Sequence, residues 1–164
     1  MATEYQRALH TLQHWIASDA ARQRFDVRAL SEAELADIME ATDMRLPAAY
    51  YAFIRQIGVG EFFLQYPRQG LFCLYDAAEL RQTQHLLAEH LADEDIHMED
   101  EYVMVGVHQS MGDWMGFNLQ RRDERNFDVY DYAAPVDEYA DIANWRTFEA
   151  WVLAVVASDG VESL

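Results

Sequence analysis

Arg45-Leu46-Pro47-Ala48-Ala49-Tyr50-Tyr51-Ala52-Phe53-Ile54-Arg55-Gln56-Ile57-Gly58-Val59-Gly60 spells out a short helix together with its start and its stop. Pro47 falls where a first helical turn needs no backbone N–H. Tyr50, Phe53, Ile54 and Ile57 follow at i, i+3, i+4 and i+7, which lines one apolar face. Gly58 and Gly60 stop the helix and open a turn.

Two more helices precede it. Tyr5, Leu9, Leu12 and Ile16, flanked by Trp15, predict a first helix over residues 3–24. Ser31 and Glu34 form a capping box, with Leu30 and Leu35 as its staple, and Leu35, Ile38 and Met39 supply the buried face of the helix they open.

After Gly60 the period changes from helical to alternating. Glu61 to Tyr66 and Leu71 to Tyr75 predict two strands joined by a turn at 67–70. Asp76 and Glu79 cap a further helix that buries Leu80, Gln84, Leu87 and Leu91. Tyr102 to Val107 is a nearly unbroken apolar run, as expected of a central strand covered on both faces. Trp114 to Leu119 and Asn126 to Tyr132 predict two more strands across the charged turn 121–125. In the second of these, Phe127 and Val129 alternate with Asp128 and Tyr130. A last helix buries Phe148, Trp151, Val152 and Val155 and ends at Gly160. The order predicts an α+β fold, a central, mostly antiparallel sheet with helices packed against it. At 164 residues the chain is expected to form one domain, residues 1–164.

Composition excludes several chemistries. The formal charge is -17, and all twelve basic residues are Arg. Without Lys, neither a Walker-type phosphate loop nor Schiff-base catalysis can be built. Nucleic acid and anionic membranes should repel so acidic a chain, and a basic protein partner should be drawn to it. The same charge also serves solubility alone. Cys73, the one cysteine, precludes an internal disulfide and lies in an apolar run, where a buried, inert thiol is expected. No apolar segment follows the N-terminus as in a signal peptide, and the run 151–157 is too short to span a bilayer. A cytoplasmic protein is expected.

Candidate sites are few. Glu89, Asp93, Glu94, Asp95, Glu99, Asp100 and Glu101 place seven carboxylates in thirteen residues. They read either as a solvated helix end and loop or as a docking surface for a basic partner. Asp128, Asp131, Asp137, Glu138 and Asp141 form a second acidic stretch. Asp113 and Trp114 follow a polar loop; Trp114 is either core or an interface anchor. His10 and His14 share a helical face without a third ligand, and His85 and His90 fall on different faces, so no metal site is expected. Asp93-Glu94-Asp95 lacks the alternation and the Gly of a calcium loop. Gly58-Val59-Gly60 stands between helix and strand, the reverse of a dinucleotide fingerprint. His108 and Ser110 are too close in sequence to suggest a triad. Neither catalytic residues nor a cofactor are assigned.

Three stretches together resemble the SMI1/KNR4-like, or SUKH, superfamily over most of residues 31–157. The first is Leu46-Pro47 with Tyr50, Phe53-Ile54, Gly58 and Gly60. The second is the strand, the loop with Gly112-Asp113 and the strand with Phe117. The third is Ile142-Ala143 followed by the helix that opens with Phe148. The acidic segment 89–101 departs from that pattern, and the Gly-rich part after the Leu-Pro helix is short. The resemblance implies a non-enzymatic protein of the bacterial immunity branch. Such a protein would bind a cognate toxin, such as a nuclease, and occlude its active site. Its partner-binding residues would come from the acidic segment, Asp113 and Trp114. The fungal members imply the alternative, a regulatory or scaffold domain.

Overall fold

The computed structural model describes residues 1–65, 69–92, 102–108, 113–130 and 143–161. Among these residues, five helices and six strands follow in the order α1 (Glu4–Ser18), β1 (Phe25–Arg28), α2 (Glu32–Ala41), α3 (Ala48–Gln56), β2 (Val59–Gln65), β3 (Gln69–Leu74), α4 (Ala77–Ala92), β4 (Tyr102–His108), β5 (Asp113–Asn118), β6 (Phe127–Tyr130) and α5 (Phe148–Ala157). The strands form one sheet in sequence order, each pair antiparallel. The expected α+β architecture is therefore present.

The caps read from sequence set the helix starts. Ser31 Oγ accepts from Glu34 N at 3.2 Å while Glu34 accepts from Ser31 N at 2.8 Å. Asp76 and Glu79 make the same reciprocal pair at 3.0 and 2.9 Å. Each pair satisfies two N–H groups that a helix start leaves without internal partners.

Two expectations are corrected. α1 ends at Ser18 instead of reaching residue 24. The Asp19 carboxylate there accepts from the backbone N–H groups of Gln23, Arg24 and Phe25, and turns the chain into β1. These hydrogen bonds hold the Asp19 carboxyl below its ordinary range against the opposing effect of desolvation. β1 had no counterpart in the sequence reading. It also changes the role of the two glycines. Gly60 is part of β2, opposite Val27 of β1, and Gly58 closes on the carbonyl of Arg28. Their positive φ angles of 111° and 129° and missing side chains let β1 lie against β2.

The core is aromatic. The strand register puts Phe25, Phe62 and Phe72 in one row and Phe117 beside Phe127 in another. Tyr50 and Phe53 of α3 meet these rows, as do Phe148 and Trp151 of α5, with ring centroids about 5 to 6 Å apart. Phe63 has a φ of 55°, which breaks the strand alternation, and both it and Phe62 are buried. A bulky residue there costs on the order of 1–3 kcal/mol. Contacts with Phe25 at 5.0 Å and Trp15 at 6.3 Å offset it.

The other sheet face carries a smaller cluster. Leu87 of α4 packs on Tyr102 and Met104 of β4, joined by Trp114, Ala143 and Trp145. Gln84 Nε2 donates to the Tyr102 carbonyl at 2.6 Å. β4 is thus covered on both faces, as its unbroken apolar run predicts. Gln69 and Gly70, expected in the turn, instead pair with Gln65 and Leu64 as the start of β3. Residues 66–68 and the side chain of Leu91 lie outside the described residues.

Candidate partner-binding surfaces

Of the seven carboxylates in the acidic segment, only Glu89 lies within the described residues. It is exposed on α4, 3.3 Å from His85 one turn earlier. Asp93, Glu94, Asp95, Glu99, Asp100 and Glu101 lie outside them, as do Asp131, Asp137, Glu138, Asp141, Ser110 and the side chain of Asp113. Trp114 is half-buried, opposite Val107 and within the Leu87–Tyr102–Met104 cluster.

Asp128 departs from the sequence reading. It is 9% exposed and works inside the fold. Its carboxylate accepts from the Asn144 N–H at 2.6 Å and lies 3.8 Å from the Arg146 guanidinium. Arg146 also pairs with Phe127 through two backbone hydrogen bonds. Asp128 therefore pins the segment before α5 to the edge of the sheet. Expecting its polar position in the strand to face solvent was incorrect, because that segment covers it.

Cys73 is half-buried opposite Glu61, instead of fully buried. Burial pushes its thiol up, and Glu61, Glu79 and Asp76 add to the effect. A thiol held protonated is a poor nucleophile. His10 and His14 are both exposed on α1. Among the described residues no group of three or more His, Cys, Asp or Glu side chains is placed to hold a metal ion.

His108 ends β4 at 2% exposure, and burial pushes its imidazole down to about 4. The folded state therefore binds this proton less readily than the unfolded chain, whose histidine titrates near 6.5. Stability from this group is complete above about pH 6.5 and is lost as pH falls toward 4. Removing the imidazole with His108→Gln should abolish roughly 2 kcal/mol of acid sensitivity across that window. Urea titrations of both proteins at pH 7, 5.5 and 4.5 would check this; parallel losses would show that carboxylates carry it all.

A second surface, of mixed charge, was not anticipated. A groove of about 680 Å³ runs between the N-termini of α3 and α5 and the turn before β6. Arg45, Arg121 and Arg122 line it, balanced by Asp123, Glu124 and Glu149. Only the fold brings these three stretches together.

The match to known families is consistent with this architecture. The sequence fits the SMI1 / KNR4 family (SUKH-1) over residues 29–154, from the end of β1 into α5. No curated protein and no solved structure matches the chain. Because the match spans most of the sequence, the protein belongs to the SMI1 / KNR4 family (SUKH-1).

Proposed function

We propose that this protein is a cytoplasmic immunity protein that binds a cognate toxin and occludes its active site. Family membership together with a charge of -17 carries this reading. A toxin acting on nucleic acid needs a basic cleft for phosphates, and an acidic protein complements such a cleft. Binding, not catalysis, is the activity. No helix among the described residues is long and apolar enough to cross a membrane. Contacts are proposed from Glu89, Asp93, Glu94, Asp95, Glu99, Asp100 and Glu101, with Asp113 and Trp114 at the start of β5.

The test is co-expression with the protein encoded beside this gene, scoring complex formation and rescue of growth. A stable complex that restores growth supports immunity. Neither complex nor rescue moves the assignment to a regulatory or scaffold role within the family. If charge steers the encounter, the association rate should fall about tenfold or more between roughly 0.01 and 0.15 M salt. A rate that does not change over that range would remove the acidic surface from the mechanism.

A further inference from the structure

We draw no further inference here: the strongest candidate, the outer edge of the sheet at β1, is a four-residue strand whose Asp26 and Arg28 are already paired within the chain, to Arg22 and to Glu34 and Asp76, and nothing in the structure shows what covers it.

Discussion

Replacing Gly60 by Val is expected to cost about 4 kcal/mol or more, enough to leave much of the chain unfolded at 37 °C. Two effects combine. The φ of 129° is one that a β-branched residue rarely adopts. An added Cβ would also lie 2.2 Å from the Asp26 carbonyl oxygen and 3.2 Å from Val27 Cα. Both atoms are backbone, so neither can swing aside. The strain is relieved only if β1 leaves β2, which would expose Phe25 and break its contacts with Phe62 and Phe63. Gly60→Ala should act in the same direction, because a methyl group meets the same oxygen. Urea unfolding followed by circular dichroism measures the effect. A loss under about 1 kcal/mol would mean that β1 is only loosely joined to the sheet.

These glycines also show where the sequence is informative and where it is not. Helix starts were legible because their signals are local: Ser31 with Glu34, and Asp76 with Glu79, each act across three residues. The end of α1 was not, because Ala20, Ala21, Arg22 and Gln23 are acceptable helix formers. Three N–H groups turning to one Asp19 carboxylate outweigh that propensity. β1 is four residues long and only Phe25 in it is fully buried, so its alternation is too brief to read. The glycine pair opposite it was the available signal, and it also fits a helix stop.

The candidate surfaces were legible in unequal measure. Net charge and the carboxylate run of 89–101 can be counted directly from sequence. The burial of Asp128 depends on Asn144 and Arg146 folding back over β6, a contact across sixteen to eighteen positions. The groove of mixed charge draws on residues 45–49, 121–126 and 147–149, which no local pattern connects. Arg121-Arg122 reads as an ordinary charged turn until the fold sets it against α3.

Trp151→Ala should destabilise the protein by about 4 kcal/mol, while Trp151→Phe should cost about 1 kcal/mol or less. Trp151 is 1% exposed and joins three elements. Its ring lies 4.8 Å from Phe72 of β3, 5.1 Å from Phe127 of β6 and 5.3 Å from Phe148 of α5. Alanine would leave a void among rings that are themselves fully buried and held from several sides, so the site cannot collapse to fill it. Phenylalanine keeps one ring in place and leaves a smaller gap. It also removes the indole Nε1–H, which is buried without an acceptor. Relief from that unsatisfied donor, worth roughly 1–3 kcal/mol, opposes the smaller packing loss. The contrast between the two variants therefore carries more weight than either value. Chemical denaturation of both, with the urea dependence compared to confirm two-state unfolding, provides the measurement. Similar large losses in both would mean that the indole nitrogen is satisfied in solution and that the full shape of Trp151 is what holds α5 to the sheet.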